Sequence, residues 1–345
     1  MESNILKCGR NTMQNNMYSF AFIGCGKMAR FHAEALSALG HSIVAVSARS
    51  YSENVTFFLN NFGVGEYYTD NETLLAHSND VDAFVVCTPW NVTERVIAQV
   101  VMAGKPVLVE KPIALSLHAI QEILKKVGDK SQNVLVGYNR RFYESVQFVA
   151  KKILESHLQY VSITLPEIVD KLKRKYATEI RDYILEYMSS HWFDVLQYLL
   201  GVLHVDYVKK ICDKNRKHTG YYGVFNAGDA KTPVVYQSRY DAPERIEMKF
   251  VFDDETYLLS PVEELSIIDS LTVREISGQT TVREYVPNVV NKIVCSKTFK
   301  PGIYEQSKYF VEAYISKSRE KDCGCTLEQA YQNSVFCESI KSLAE

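Results

Sequence analysis

SFAFIGCGKMA, residues 19–29, contains an apolar run that stops at two glycines with one residue between them. The continuous apolar residues of Ser19–Ile23 predict a buried strand. Helical periodicity follows over Lys27–Leu39, and Gly40 lies where a glycine commonly ends a helix. This stretch therefore predicts a buried strand that turns sharply into a helix.

The turn contains the pattern Gly24-x-Gly26-x-x-Ala29. In a dinucleotide site the first glycine permits the tight turn, the second lets the backbone approach a pyrophosphate, and a small third residue lets the helix pack against the strand. Backbone amides at the start of the helix, beginning with Lys27 and Met28, favour phosphate groups. The pattern favours a dinucleotide site; the alternative is a strand–helix turn that binds nothing.

Apolar strands alternate with helices up to about residue 142. Four further strands are predicted at Ser42–Ser47, Asp82–Cys87, Pro106–Val109 and Val134–Gly137. The predicted helices between them are Ser52–Phe62, Asn71–His77, Val92–Ala103 and Ser116–Val127. Continuous apolar strands separated by helices are typical of a parallel sheet with helices on both faces. We therefore predict an α/β, doubly wound domain over residues 18–142, with a ligand beyond the carboxyl ends of its strands.

Residues 143–345 have a different pattern, which predicts a second, α+β domain for substrate binding and oligomerisation. A helix followed by a strand is expected over Lys151–Leu165, and a long helix over Ala177–Leu200. Frequent Tyr, Val, Thr and Phe between residues 205 and 294 predict a mostly antiparallel sheet, with strands at Val234–Tyr240, Ile246–Phe252, Thr256–Leu259 and Leu265–Ile268. Two helices are predicted at the end of the chain, Tyr304–Lys317 and Leu327–Leu343, and the terminal helix is expected to pack back on the first domain. Thr326 and Gln329 predict a capping box at the start of the second helix.

Length, charge and cysteine content exclude several classes of protein. The 345 residues suffice for two domains, and the polar residues 1–17 are expected to be a tail without the apolar segment of a signal peptide. The net charge of −2 gives no reason to expect nucleic-acid binding, and no run approaches the ~18 apolar residues of a membrane span. Cys323-Gly-Cys325 lacks the second pair of a zinc site, so we expect no metal and free thiols in the cytoplasm.

The end of the second strand indicates which dinucleotide fits. Val46-Ser47-Ala48-Arg49-Ser50 contains no Asp or Glu, which NAD sites usually place there to hold the ribose hydroxyls. Arg49, with the hydroxyls of Ser47 and Ser50, suits a 2′-phosphate instead. The sequence therefore favours NADP. The alternative is that Arg49 is a solvent-exposed loop residue and that NAD binds without the acidic contact.

Two later strands end in residues that we expect to contact the cofactor. Thr88-Pro89 ends one strand, and Glu110-Lys111-Pro112 ends the next on the same edge of the sheet. A lysine there lies near the nicotinamide end, where its charge can stabilise the alkoxide that develops during hydride transfer. From the strand position alone, a surface role for Lys111 is the alternative.

The long helix predicted in the second half carries polar residues on one face. Tyr187, His191, Asp194 and Tyr198 are spaced at i, i+4, i+7 and i+11. An imidazole and a phenol suit proton transfer, because histidine titrates near neutral pH. Asp194 can orient the imidazole or hold a sugar hydroxyl. The alternative is a polar helix face that is buried against a neighbouring domain.

These motifs together resemble the glucose-fructose oxidoreductase, inositol dehydrogenase and rhizopine-catabolism (Gfo/Idh/MocA) family. The resemblance is carried by the segments GCGKMA (24–29), SARS (47–50), TP (88–89), AGKPVLVEKP (103–112), GYNRRF (137–142) and HWFDVLQYLLG (191–201). It covers nearly the whole chain and is most specific over residues 18–142. It implies an N-terminal Rossmann domain and a C-terminal domain with a large open sheet that commonly supports dimers or tetramers.

By position, the resemblance implies that Lys111 is the catalytic lysine and His191 the catalytic histidine. Many dehydrogenases of the family have an aspartate one helical turn before this histidine, where this chain has Tyr187. Some members use a tyrosine as proton donor in this region, so the resemblance is compatible with an arrangement of Lys111, Tyr187 and His191. The segment that contains Asn139, Arg140 and Arg141 lies at the junction of cofactor and substrate in the family.

We therefore expect a cytoplasmic NAD(P)-dependent oxidoreductase that acts on a secondary alcohol of a sugar, cyclitol or sugar derivative. Asn139, Arg140 and Asp194 are expected to bind the substrate, and the chain to form a homodimer or homotetramer through its C-terminal sheet. Two alternatives stay open. One is an enzyme with tightly bound NAD(P) and no net redox change, of the glycosidase or epimerase type. The other is a non-catalytic, cofactor-binding regulatory protein.

Overall fold

The N-terminal half forms a parallel sheet between helices. The computed structural model describes residues 16–176, 178–277 and 282–344, so most of the tail expected over residues 1–17 lies outside the described residues. The elements of this half are β1 (Ser19–Ile23), α1 (Lys27–Ala38), β2 (Ser42–Ser47), α2 (Glu53–Phe62), β3 (Glu66–Tyr68), α3 (Asn71–Ala76), β4 (Ala83–Val86), α4 (Trp90–Met102), β5 (Val107–Val109), α5 (Leu117–Val127) and β6 (Val134–Val136).

The strand order of this sheet is β3-β2-β1-β4-β5-β6, and all neighbours are parallel. This is the doubly wound order that the sequence predicts, and the predicted strands and helices recur with ends shifted by one or two residues. The sequence reasoning missed β3, because Glu66–Tyr68 is a short edge strand without a buried residue. The order places the carboxyl ends of β1, β4 and β5 side by side.

The C-terminal half forms a second sheet covered by helices. Its elements are α6 (Glu144–Glu155), β7 (Leu158–Glu167), α7 (Val169–Tyr176), α8 (Ser190–Leu200), β8 (Leu203–Cys212), β9 (His218–Ala227), β10 (Thr232–Tyr240), β11 (Glu247–Phe252), β12 (Thr256–Leu259), β13 (Glu264–Ile276), β14 (Val282–Val294), α9 (Ile303–Phe310) and α10 (Leu327–Leu343). The strand order is β14-β13-β12-β11-β7-β10-β9-β8. The pair β7–β10 is parallel and the other neighbouring pairs are antiparallel, which confirms the predicted fold class.

The long helix predicted over Ala177–Leu200 is wrong in one respect. Residue 177 lies outside the described residues, and the rest of the segment consists of a 3-10 turn (Thr178–Tyr183), a π turn (Leu185–Ser189) and α8. A π turn has hydrogen bonds from i to i+5 instead of i to i+4, so residues four apart no longer lie directly above one another. The single polar face expected for this segment is therefore broken between Tyr187 and His191.

The helices that close the chain pack against the N-terminal sheet. Phe310, at the end of α9, packs against Phe20 of β1 with ring centroids 6.4 Å apart. α10 contacts α5 and β6, and the predicted capping box of Thr326 and Gln329 is present at its start. None of the described helices is long and apolar enough to cross a membrane. α10 also contacts β8 of the second sheet, so this helix connects the two sheets.

Candidate active site

The glycine turn after β1 has the geometry that a dinucleotide requires. Gly24 has a φ of +92°, and a Cβ atom there would lie 2.9 Å from the carbonyl oxygen of Cys87. A Cβ at Gly26, at the start of α1, would have no atom within 4 Å, so the space above the helix is open. Ala29 is fully buried and lets α1 lie close to the sheet. The residues present therefore fit a pyrophosphate at the N-terminus of α1.

A cavity of about 330 Å³ opens beside this turn, at the carboxyl ends of β1, β2 and β4. Its lining residues are Gly24, Ser47, Ala48, Arg49, Thr69, Asp70, Asn71, Thr88, Pro89 and Val92. Five of the residues predicted to bind the cofactor line this cavity: Gly24, Ser47, Arg49, Thr88 and Pro89. The other seven do not line it: Gly26, Lys27, Met28, Ala29, Ser50, Glu110 and Lys111. The cavity matches the place where a doubly wound fold holds the adenosine half of a dinucleotide.

Asp70 and Asn71 are cavity residues that the sequence reasoning missed. They follow β3, the short strand that was not predicted. Asp70 caps α3 by accepting the Thr73 amide at 2.7 Å and the Thr73 hydroxyl at 2.9 Å, and these bonds lower the pKa of its carboxyl. The hydroxyl of Ser47 donates to Asn71 Oδ1. An Asp directly before a predicted helix was the signal that could have identified the cap.

Glu110, at the end of β5, is held from two sides. Nε2 of His32, a fully buried residue of α1, lies 2.8 Å from Glu110 Oε1. Gly137 packs so closely that a Cβ there would lie 3.1 Å from Glu110 Cα. The other ring nitrogen of His32, Nδ1, has no hydrogen-bond partner among the described residues. These contacts orient the strand end from which Lys111 projects.

Lys111 reaches across from the first domain to the second. Its Nζ donates a hydrogen bond of 2.7 Å to the carbonyl oxygen of Tyr187 and lies 5.3 Å from the centroid of the Tyr187 ring. Burial, followed by the nearby positive charge of Arg140, lowers the pKa of Lys111 to about 7. An ammonium group that releases its proton near neutral pH is typical of a catalytic site.

His191, the second residue of α8, lies near Lys111 and Arg140, and the region bordered by these three partly exposed side chains is termed the cleft. Its ring packs edge-on against Tyr138 with centroids 5.7 Å apart, and its Nδ1 has no hydrogen-bond partner within the described residues. Burial, and then the charges of Arg140 and Lys111, place its pKa well below 6.5. The imidazole is therefore neutral at physiological pH and able to accept a proton.

Two residues predicted to bind the substrate have other partners. Both carboxylate oxygens of Asp194 accept hydrogen bonds from Arg141, at 2.7 and 2.9 Å, and Asp194 is 1% exposed. Asp194 therefore neither orients His191 nor reaches the cleft. Asn139 is 4% exposed, and its amide donates to the carbonyl oxygen of Pro301 at 2.9 Å. Both expectations are corrected, because these side chains hold the domains together.

Glu167 and Lys300 are charged residues near the cleft that the sequence reasoning missed. Glu167, the last residue of β7, is 2% exposed and accepts a 2.6 Å hydrogen bond from the Ser189 hydroxyl. Burial raises the pKa of Glu167 to about 7, against the charges of Arg140 and Lys111. Lys300 extends over α1, where its Nζ lies 3.0 Å from Met28 Sδ. No local motif marks either residue, because each comes from a segment distant in sequence.

Comparison with known proteins agrees with this geometry. The model of the "Oxidoreductase family, NAD-binding Rossmann fold" (GFO_IDH_MocA) matches residues 18–138. Inositol 2-dehydrogenase of Rhizobium meliloti (strain 1021) is 27% identical over 248 residues, which are 66% of this chain and 72% of that protein.

Two solved structures show the same fold. Scyllo-inositol dehydrogenase from Lactobacillus casei, with bound NAD(H) and scyllo-inositol, has a TM-score of 0.69 at 17% identity and covers 95% of this chain and 97% of its own. The 3-ketoreductase KijD10 from Actinomadura kijaniata, in complex with NADP, has a TM-score of 0.68 at 16% identity and covers 96% and 98%. Residues 18–138 therefore match the Gfo/Idh/MocA family of oxidoreductases, the chain is similar to an inositol 2-dehydrogenase, and it shares its two-domain fold with the two solved structures.

Proposed function

We propose that the protein oxidises a secondary alcohol of a sugar, cyclitol or sugar derivative, or reduces the corresponding ketone, with NAD(P) as hydride carrier. The observation that carries the proposal is that Lys111, which follows a strand of the dinucleotide domain, lies close enough to His191 for its charge to act on the imidazole. The name of the inositol 2-dehydrogenase relative supports the class of substrate. The bound nicotinamide supplies the acceptor or donor of hydride.

The protein's own residues then handle the oxygen and the proton. The ammonium group of Lys111 donates a hydrogen bond to the reacting oxygen and stabilises the negative charge that develops there. His191, which is neutral, takes the hydroxyl proton during oxidation and returns it during reduction. Tyr187 lies beside Lys111, and its phenol is the second candidate for moving this proton. Catalysis thus needs Lys111 in its charged form.

We propose NADP as the preferred cofactor and NAD as the weaker one. Support comes from Arg49, an exposed residue of the adenosine cavity, and from the absence of an acidic residue at the end of β2. The carboxylate of Asp70 lines the same cavity but is held by Thr73 as a helix cap. An exposed guanidinium at the edge of this cavity favours a 2′-phosphate.

We further propose a homodimer or homotetramer through the C-terminal sheet. Apolar side chains on the two long strands β13 and β14 support it, since Leu271 and Tyr285 are 59% and 61% exposed. Apolar surface of this kind marks sites where proteins associate. A reducing compartment such as the cytoplasm is proposed as well, because all seven cysteines of the described residues are free.

The decisive experiment is a substrate panel combined with one substitution. Sugars, cyclitols and nucleotide sugars are offered with NADP and NAD in parallel, and nicotinamide absorbance is followed. Lys111→Ala is expected to lower turnover of any active substrate by at least a hundredfold while the dissociation constant of the cofactor changes little. Lys126→Ala, at an exposed lysine of α5, is the control.

Near-normal turnover of Lys111→Ala would remove the proposed role of the lysine. A cofactor that co-purifies with the protein, with no net change in nicotinamide absorbance for any substrate consumed, would overturn net oxidation or reduction. That second result would instead support chemistry in which hydride returns to the same molecule.

A further inference from the structure

Arg140 and Arg141 are neighbours in sequence with opposite surroundings. Arg141 is 2% exposed and fully partnered, with two hydrogen bonds to Asp194, one to the carbonyl oxygen of Gly324 and one to Gln329. Arg140 keeps part of its side chain accessible between two buried neighbours. Within the described residues, no carboxylate lies at ion-pair distance from Arg140, so its charge has no fixed counter-ion.

The position of the Arg140 guanidinium is nevertheless fixed. Its central carbon lies 3.5 Å from the centroid of the Trp192 ring, so the planar group stacks on the indole. Its Nη1 is buried and has no hydrogen-bond partner among the described residues. Burial also lowers the pKa of Arg140. Leaving a donor unpartnered next to a buried charge is costly, and a bound anion removes that cost.

The groups around Arg140 reinforce the positive charge. Lys111 and the neutral His191 share the cleft, and the charge of Arg140 acts on the pKa of both. The carboxylates whose charges act on Arg140 are those of Glu167 and Glu263, and Tyr143 forms a hydrogen bond with its side chain. Glu167 is 2% exposed and bonded to Ser189. Among the described residues, neither carboxylate forms an ion pair with Arg140, so the guanidinium can still accept an anionic partner.

The cofactor phosphates do not account for Arg140. A pyrophosphate fits the open space above Gly26 at the start of α1. Lys300, which contacts Met28 in that same segment, is the cation placed to meet it. Arg140 instead stacks on Trp192 of α8, the helix that also carries His191. This stacking places the guanidinium beside the helix that carries His191, the proposed proton acceptor.

We propose that the substrate carries an anionic group, a carboxylate or a phosphate, which binds the guanidinium of Arg140 while Lys111 holds the reacting oxygen. A planar guanidinium donates two parallel hydrogen bonds to such a group. Because the side chain is already fixed by stacking on the indole, it loses less conformational entropy when the anion binds. The inference rests on the proposed function and narrows it from neutral sugars and cyclitols to acidic ones, such as sugar acids or sugar phosphates.

Binding is tested without turnover through Trp192, one of two tryptophans in the chain. In the Trp90→Phe variant, emission reports Trp192 alone. The probes form matched sets at constant ionic strength: D-glucose, D-glucuronate and D-glucose 6-phosphate; D-galactose, D-galacturonate and D-galactose 6-phosphate; myo-inositol and its 1-phosphate. We expect a saturable emission change with at least one anionic member, at a dissociation constant at least thirtyfold below that of its neutral counterpart. The better of the carboxylate and phosphate members identifies the anionic group.

Substitution of Arg140 then tests its role. In Arg140→Gln the ratio of kcat/KM between the preferred anionic probe and its neutral counterpart is expected to fall to within threefold of unity, and Arg140→Lys should retain an intermediate ratio. Lys126→Ala, at an exposed lysine of α5, should leave this ratio and the cofactor dissociation constant unchanged. Circular dichroism and cofactor binding establish that the Arg140 variants are folded.

The results distinguish a failure of this inference from a failure of the proposed function. Turnover of a neutral probe with no advantage for its anionic counterparts overturns the inference and leaves the proposed function standing. A saturable signal from an anionic probe, with no turnover of any compound, supports the inference and counts against the proposed function. No emission change with any anionic probe overturns the inference, and so does an unchanged ratio in Arg140→Gln.

Discussion

The replacement of Lys111 by methionine should make the protein more stable, by an amount that depends on pH. The pKa of Lys111 falls from its ordinary 10.5 to about 7 because the ammonium group is buried beside Arg140. A lysine with a lowered pKa in the folded state destabilises that state wherever the unfolded chain binds the additional proton. Methionine fills a similar volume and carries no charge.

The magnitude follows from the two pKa values. At pH 6 the lysine is charged in both states, and the folded state is destabilised by roughly 5 kcal/mol. At pH 9 it is mostly neutral in the folded protein, and the destabilisation falls to about 2 kcal/mol. Loss of the hydrogen bond from Lys111 to the carbonyl oxygen of Tyr187 subtracts about 1 kcal/mol from the gain at both pH values. Lys111→Met should therefore be about 4 kcal/mol more stable than the unsubstituted protein at pH 6 and about 1 kcal/mol at pH 9.

Urea denaturation followed by circular dichroism at the two pH values measures these differences. Glu167 also has a pKa of about 7 and interacts with Lys111, so the comparison is repeated in the Glu167→Gln background. The reasoning is refuted if Lys111→Met is less stable than the unsubstituted protein at pH 6, or if the stability difference is the same at both pH values in both backgrounds. Loss of turnover with a gain in stability would show that Lys111 serves activity while lowering the free energy of unfolding.

Substitutions at the two glycines of the turn separate cofactor binding from folding. Gly24→Ala should lower the free energy of unfolding by about 1–3 kcal/mol, because alanine is strained at a φ of +92° and its Cβ meets the Cys87 carbonyl. In contrast, Gly26→Ala should leave stability within about 0.5 kcal/mol while titration calorimetry shows at least tenfold weaker dinucleotide binding; equal effects from the two glycines would contradict this. Asp194→Asn should cost about 3–5 kcal/mol, since it leaves the buried Arg141 without its counter-charge. The exposed carboxylate of Asp254, which pairs with Lys152, is the control, because Asp254→Asn should leave stability nearly unchanged, and similar losses at both sites would refute the argument.

The sequence was sufficient for the first domain because its signals are local. A buried parallel strand is a continuous apolar run, and glycine or proline marks where it stops. Those rules located β1, which precedes the glycine turn, and the end of β5, after which Lys111 follows. The short strand Glu66–Tyr68 escaped them because it lies at the sheet edge and is polar. Missing it also hid Asp70 and its place in the adenosine cavity.

The contacts between the domains could not be predicted in the same way. Helical spacing placed Asp194 on one face with His191, but periodicity cannot show which distant residue meets that face. Asp194 forms an ion pair with Arg141, and the π turn over Leu185–Ser189 changes the direction of Tyr187 relative to α8. Glu167 enters the site from the end of β7 for the same reason, since only the folded topology brings that strand to Lys111.

Residues 137–141 take part in most of these contacts, and a single partly exposed side chain among buried neighbours explains how the site is assembled. Gly137 allows the backbone to pass against Glu110, and Asn139 binds the carbonyl oxygen of Pro301. Arg141 forms the buried pair with Asp194. Arg140 lies between these anchored residues and is the side chain that remains accessible over residues 138–142. Because its neighbours are fixed by both domains, the guanidinium is held at the cleft without a carboxylate of its own, which is the arrangement expected of a residue whose counter-charge arrives with a ligand.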